Sequence, residues 1–193
     1  MPVRIWRPRG RVDGECRIRL IEGTDDPFLI NYGEPLGQRW SDDAHCDMDP
    51  NFPKDIALSD CLAGATVLVV SSSVRSVLEQ ANIVNVEFLP LAIINHKGRV
   101  ASRDYWAVNP LVFVDCIDQP ASGLVWNKID KSRISGCTSL VLTMQAIPDD
   151  VSLFRPLHWP KLVLIKRGLI DRLHAAGLSG FTFVDPLDYD GTG

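Results

Sequence analysis

Two stretches of this chain carry the same order of apolar and polar positions. Residues 66–90 (TVLVVSSSVRSVLEQANIVNVEFLP) and 161–186 (KLVLIKRGLIDRLHAAGLSGFTFVDP) align without a gap when one is moved 95 positions along the chain. Val69 and Val70 then meet Leu164 and Ile165, Val74 meets Leu169, Leu78 meets Leu173, and Ala81 meets Ala176. Further on, Ile83 meets Leu178, Val86 meets Phe181, and Phe88 meets Phe183. In each copy a short apolar run suits a buried strand, and the residues after it recur at helical spacing: Val74, Val77, Leu78, Ala81 in one, Leu169, Ile170, Leu173, Ala176 in the other. Each helix is expected to end at a residue that tolerates the left-handed conformation, Asn82 or Gly177, before an alternating strand begins.

The rest of the pattern hangs on these two strand–helix–strand units. Alternation at 16–21 predicts a strand. Residues 24–60 are rich in Asp, Pro and Gly and follow neither apolar period, so loop and turn are expected, pinned by Trp40 and Phe52. The first helix should start at Ser72 or Ser73, either of which can cap the free amides of its first turn. A hairpin follows, with strands at 86–94 and 99–108 around Asn95-His96-Lys97-Gly98. Further strands are expected at 111–117 and 138–145, separated by a loop over 118–136 with an edge strand at 124–126. Pro148-Asp149-Asp150 then turns the chain into Leu153-Phe154-Arg155, and the tail after Pro186 should fray. Strands outnumber helices, so the class is α+β: one domain, a mixed or mainly antiparallel sheet, and two short amphipathic helices in quasi-repeated units. Each unit's spacing allows a right-handed parallel crossover. The division expected is a charged arm, 1–60, packed on an α+β core, 61–193.

Composition adds limits. At 193 residues, 46% hydrophobic and 23% charged, the chain can bury about 70% of its unfolded surface. Its first residues lack the apolar core of a signal peptide and no run approaches the roughly 20 residues of a membrane helix, so a cytoplasmic protein with no membrane contact is expected. The five cysteines are scattered and odd in number, and read as reduced thiols packed as small hydrophobes. A net charge of −4 disfavours a nucleic-acid partner. That charge is unevenly spread: residues 1–23 hold six arginines against three acids, residues 24–60 hold nine acids against two bases, and 61–193 balances at twelve of each.

Candidate chemistry is sparse. The run Asp42-Asp43-Ala44-His45-Cys46-Asp47-Met48-Asp49 offers donors for a hard cation through Asp43, Asp47 and Asp49, but lacks the glycine and terminal glutamate of a calcium loop. A solvated acidic loop is the bland reading, and an acidic contact surface lies between. Ser71, Ser72 and Ser73 sit between strand and helix, as a hydrolase nucleophile would, without the flanking glycines that the sharp turn needs; capping explains them more simply. No phosphate-binding glycine loop occurs. Cys116 and His158 could form a thiol–imidazole pair only if the fold joined them. Within Phe154-Arg155-Pro156-Leu157-His158-Trp159, Arg155 and Trp159 are residue types that carry interface energy, while a structural role would have Arg155 paired with a carboxylate such as Asp115 or Asp118. On these residues no catalytic, cofactor or metal site is assigned, and a hydrolase or a small-ligand module with a pocket beside Phe154-Arg155 remains the alternative.

The order of short motifs carries a resemblance. Ser71, Ser72 and Ser73 at a helix start are followed by Asn85-Val86-Glu87-Phe88-Leu89-Pro90, by Tyr105 and Asn109, and by Val114-Asp115-Cys116-Ile117-Asp118 with Ser122. Ile147-Pro148-Asp149, Phe154-Arg155, Ala176-Gly177-Leu178 and Gly180-Phe181 complete it. Over residues 55–186 the chain resembles immunity protein family eleven of bacterial polymorphic-toxin systems. The resemblance implies a non-enzymatic protein that binds and neutralises a cognate toxin, such as a type VI or contact-delivered effector. It implies that the matched motifs are fold signatures without a catalytic role. On this reading the toxin-binding candidates are Asp42, Asp43, Asp47, Asp49, Arg155 and Trp159.

Overall fold

A computed structural model describes residues 2–83 and 85–191. In chain order the strands are β1 (Val3–Pro8), β2 (Ile18–Glu22), β3 (His45–Met48), β4 (Cys61–Leu62) and β5 (Val69–Ser71), then helix α1 (Ser72–Gln80). The long hairpin β6 (Val86–Ile94) and β7 (Val100–Pro110) follows, then β8 (Phe113–Val114), β9 (Leu124–Trp126), β10 (Ile134–Cys137), β11 (Leu153–Pro156) and β12 (Leu164–Lys166). Helix α2 (Arg167–Ala175) and β13 (Phe181–Val184) close the chain. The strands form a six-stranded sheet ordered β2-β3-β6-β7-β5-β4, a five-stranded sheet ordered β13-β1-β12-β11-β8, and a β9-β10 ribbon. Most pairings are antiparallel, while β3 with β6 and β11 with β8 are parallel, so the fold is α+β with mixed sheets.

The repeat in the sequence is a repeat in space. Strand, helix, helix end and second strand of the two units begin at positions 95 apart: Val69 and Leu164, Ser72 and Arg167, Val86 and Phe181. Both helix ends are followed by a left-handed residue, Asn82 at φ 53° and Gly177 at φ 71°, as the helix-stop argument requires. A second left-handed pair, Asn85 and Gly180, opens the closing strands. At Gly180 a Cβ would lie 2.5 Å from the Cys61 carbonyl oxygen, so space as well as backbone demands glycine.

The two strands of a unit are not neighbours. β5 and β6 both run antiparallel to β7, which lies between them, and are therefore parallel to one another. In the second unit β1 takes that middle place, antiparallel to both β12 and β13. The registers match: Ala107 sits between Val69 and Leu89, and Ile5 sits between Leu164 and Val184. The flanking hydrogen bonds match too. The Val108 amide donates to the Leu68 carbonyl and the Trp6 amide to the Val163 carbonyl, both at 2.9 Å.

One apolar cluster gathers the buried faces of both helices, Val74 and Leu78 with Leu169 and Leu173, together with Val70, Val108, Trp6 and Ile165 from the two sheets. The opposite face of the larger sheet (Val69, Leu89 and Ile93, with Ile18 and Cys46) packs on Ile30 and Leu36, and that of the smaller one (Val3, Ile5, Leu164) on Cys116, Leu140, Ile147 and Tyr189. Burying each such aliphatic side chain contributes about 1.5–3 kcal/mol. Asp60 ties the two units by a polar route, accepting from the Ser71 hydroxyl at 2.8 Å and from the Ser179 amide at 3.0 Å.

Several expectations change. Helix α1 starts at Ser72, but the cap is Ser71, whose hydroxyl accepts from the Val74 amide. In 24–60, two 3-10 turns (Pro27–Tyr32 and Gly37–Arg39) precede the strand β3. Its alternation, Cys46 and Met48 inward with His45 and Asp47 outward, is hidden in composition by the acids around it. The expected pins hold that segment: the Trp40 indole donates to the Pro90 carbonyl, and Phe52 lies under the Arg11 and Arg17 guanidinium groups. The strand expected at 111–117 is reduced to β8. Residues 138–145 form no strand, only a bridge from Leu142 to Ile117. There the Ser122 hydroxyl occupies both the amide and the carbonyl of Val141 and displaces a ladder. The tail does not fray over the described residues, since Asp185 caps a 3-10 turn at Pro186–Asp188 and Tyr189 packs on Trp159; residues 192 and 193 lie outside the described part.

Candidate functional site

Two regions concentrate polar chemistry. The first is the acidic edge formed by β2, β3 and the turn before β3. Antiparallel pairing sets Glu22 across from His45, and the two-residue period of a strand puts His45 and Asp47 on one face while Cys46 and Met48 enter the core. One ligand-capable atom from each of Glu22, His45 and Asp47 lies within 4.8 Å of the other two. Asp42 and Asp43 are exposed on the preceding turn. Asp49 is turned away into its own loop, where it accepts from the amide and side chain of Asn51. Of the three aspartates considered from sequence as cation donors, only Asp47 joins this group. Glu22, 23 or more residues earlier in the chain, escaped the sequence reading because only strand pairing brings it near.

The second region is a cleft of about 490 Å³ between the two sheets, lined by Ile5, Trp6, Val108, Arg155, Trp159 and Lys161 among others. Arg155 is 2% exposed and Trp159 4% exposed, so both are walls of this cleft and core residues rather than open surface. Among the described residues no carboxylate, Asp115 and Asp118 included, pairs with Arg155. Its guanidinium donates to the carbonyls of Pro110 and Pro160 and to the Asn109 side-chain oxygen, and burial pulls its pKa down to about 10. Asn109 links it to negative charge, its amide group donating to the Glu87 carboxylate at 2.9 Å. The Trp6 indole N–H is also buried in this wall and finds no partner among the described residues. Sequence reasoning missed Trp6 and Lys161 here, since nothing in the linear order links them to Arg155.

The nucleophile candidates are placed for structure. Cys116 is 1% exposed, and burial with Asp115 nearby pushes its thiol up to about 12, the opposite of an activated thiolate. His158 instead faces Ser132, whose carbonyl lies 3.1 Å from Nδ1, and Asp115, whose carboxylate is 4.0 Å from Nε2. Ser71 is engaged as helix cap and as donor to Asp60. All five cysteines are buried and unpaired. Among the described residues no helix is long and apolar enough to cross a membrane.

The class that emerges is an α+β protein of mixed sheets whose thiols and capping hydroxyls serve the fold, and whose distinctive exposed feature is a carboxylate-rich strand edge. The sequence pattern of the Immunity protein family (Imm11) matches residues 9–188, and the chain belongs to that family. Membership implies a toxin-neutralising immunity role. No curated protein matches the chain.

Proposed function

We propose that this protein protects the cell that makes it by binding one cognate toxin in the cytoplasm and blocking it, molecule for molecule, without chemistry of its own. Family membership over residues 9–188 is the observation that carries the proposal. The contact face we assign is the acidic edge, through Asp42, Asp43, Asp47 and Asp49. Such a face suits a toxin with a basic substrate-binding surface, for example a nuclease delivered by a type VI or contact-dependent system, and speeds capture by long-range attraction. Arg155 and Trp159, being buried, enter contact only if the toxin inserts a segment into the cleft. The test is copurification with the toxin encoded beside the gene, followed by replacing the four aspartates with Asn. The expected result is an association rate lowered at least tenfold at low salt, with a flatter salt dependence. An unchanged rate removes the acidic face from the interface, and absence of any captured toxin removes the function.

A second reading, a small-ligand module, is favoured by one observation: the cleft combines a buried cation, Arg155, with an unpartnered buried indole N–H, Trp6. A screen of small organic anions by thermal shift, with Arg155→Met as control, separates this reading from the first.

A further inference from the structure

We infer that Glu22, His45 and Asp47 form a binding site for a divalent transition-metal ion of the zinc and cobalt type. The three side chains come from two paired strands, so their common face is set by backbone hydrogen bonds rather than by a mobile loop. Their donor atoms lie within 4.8 Å of one another, so small side-chain rotations bring all three to the roughly 2.0–2.2 Å bond lengths of one ion. His45 Nδ1 sits 2.8 Å from the Asp43 carbonyl oxygen. With the proton held on Nδ1 by that carbonyl, the Nε2 lone pair is left for a ligand, which is the arrangement that orients metal-binding imidazoles. The turn is packed tightly enough to fix this geometry. Gly23, at φ +78°, follows Glu22, and a Cβ there would stand 2.2 Å from the Asp43 carbonyl oxygen and 2.9 Å from His45 Nδ1.

Charge supplies the second line of argument. Neither the Glu22 nor the Asp47 carboxylate has a hydrogen bond or ion pair with any described residue. Elsewhere arginines near the chain start are matched: Arg9 to Glu15, Arg11 to Asp13 and Asp55, Arg4 to Asp185. Two carboxylates that no described cationic side chain pairs, beside an oriented imidazole, form a mixed oxygen and nitrogen ligand set. One nitrogen and two oxygens, with open positions for water or a partner's donor, favour a borderline transition ion. Calcium, by contrast, takes 6–8 oxygen ligands.

The experiment is calorimetric titration of the full chain with Zn(II) alone, repeated with Co(II) to read the visible absorption of a bound ion. The buried thiols are out of reach in the folded protein and do not compete. One ion per chain is expected, weakened at least about 10-fold in both Glu22→Gln and His45→Ala, since even losing a group that only orients a ligand costs roughly 10–100-fold. Asp49→Asn, outside the triad, should bind like the parent. Glu22 is exposed and His45 half-buried, so both variants alter side chains outside the core, and an unchanged unfolding midpoint confirms that they fold. Lack of saturable binding, or binding equal in parent, Glu22→Gln and His45→Ala, overturns the inference. The toxin reading is separate: zinc binding by a chain that captures no toxin leaves the metal site standing.

Discussion

Replacing Asn109 by Asp should cost about 3 kcal/mol at neutral pH, and much of that cost should disappear on acidification. Asn109 is fully buried and pairs across the hairpin with Glu87. Its side-chain amide donates to the Glu34 carbonyl at 2.8 Å and to the Glu87 carboxylate at 2.9 Å, while its oxygen accepts from Arg155 at 3.4 Å. Glu87 in turn holds the amides of Leu36 and Gly37, so one node fastens the 34–37 segment, the hairpin and β11 together. Asn109→Asp keeps the shape but turns both donors into acceptors. Two buried hydrogen bonds to oxygen are lost at about 1–2 kcal/mol each, and a carboxylate is set against another carboxylate. The gain from facing Arg155 is smaller, because that contact is long and the guanidinium already serves two carbonyls. A loss of about 3 kcal/mol corresponds to roughly 6–12 °C in Tm for a chain of this size.

The sign with pH follows from the new carboxyl. Burial and its neighbour raise its pKa in the folded state, so the penalty is complete above that raised value and shrinks as pH falls through it towards the unfolded value near 4. Urea unfolding of parent and variant at pH 7 and pH 4.5 measures both deficits. A deficit below about 1 kcal/mol at pH 7, or one that is equal at the two pH values, refutes the network as the source of the cost.

Two further outcomes test the fold as described. Leu78 and Leu173 occupy equivalent positions in the two units and neither has any exposed surface, so Leu78→Ala and Leu173→Ala should each cost about 3 kcal/mol in denaturant unfolding. A cost under about 1 kcal/mol at either position breaks the equivalence. Burial also raises the thiols, Cys16 to about 11 and Cys46 and Cys116 to about 12. An aromatic disulfide reagent at pH 8 should therefore release colour only in denaturant, and a thiol that reacts within minutes in native buffer contradicts its placement.

What the sequence revealed and what it hid follow a physical division. The two units were legible because a helix with one buried face and a strand with two keep their periods in any copy; hence Val86–Ile94 and Leu124–Trp126 are strands with the bounds expected. The third strand of the second unit was not legible. In β1, Arg4 separates the buried Val3 and Ile5 and Arg7 follows Trp6, and its partners in β12 and β13 lie far along the chain, Ile5 pairing with Leu164 and Val184. Strand β3 was masked in the same way by Asp47 on its outward face and by the acids on either side of it. The acids of 42–49 could be read as a charged segment from composition, but the convergence of Glu22 on His45 depends on register, which local pattern does not fix. For Arg155 and Trp159, residue type points equally to an interface and to a cleft wall. Only burial separates the two.

The permuted order of the second unit explains why so much of the chain is committed to structure. In the first unit the middle strand β7 follows β6 directly through a hairpin, a local contact. In the second, β12 and β13 can be joined only by residues 3–8, and without them two strands would each keep an unpaired row of backbone groups beside an exposed Trp6 pocket. The two helices meanwhile spend their apolar faces on one shared cluster, so neither is free to dock a partner through that face. What remains open is the far side of the larger sheet's edge, where β2 and β3 add strands to β6 beyond the reach of the repeat. That edge is also where unpaired carboxylates collect. The recognition face proposed above, set there, would let charge vary without disturbing a core whose halves hold one another, whereas the same substitutions in the cleft would strike Arg155 and the Asn109 node and lower stability along with binding.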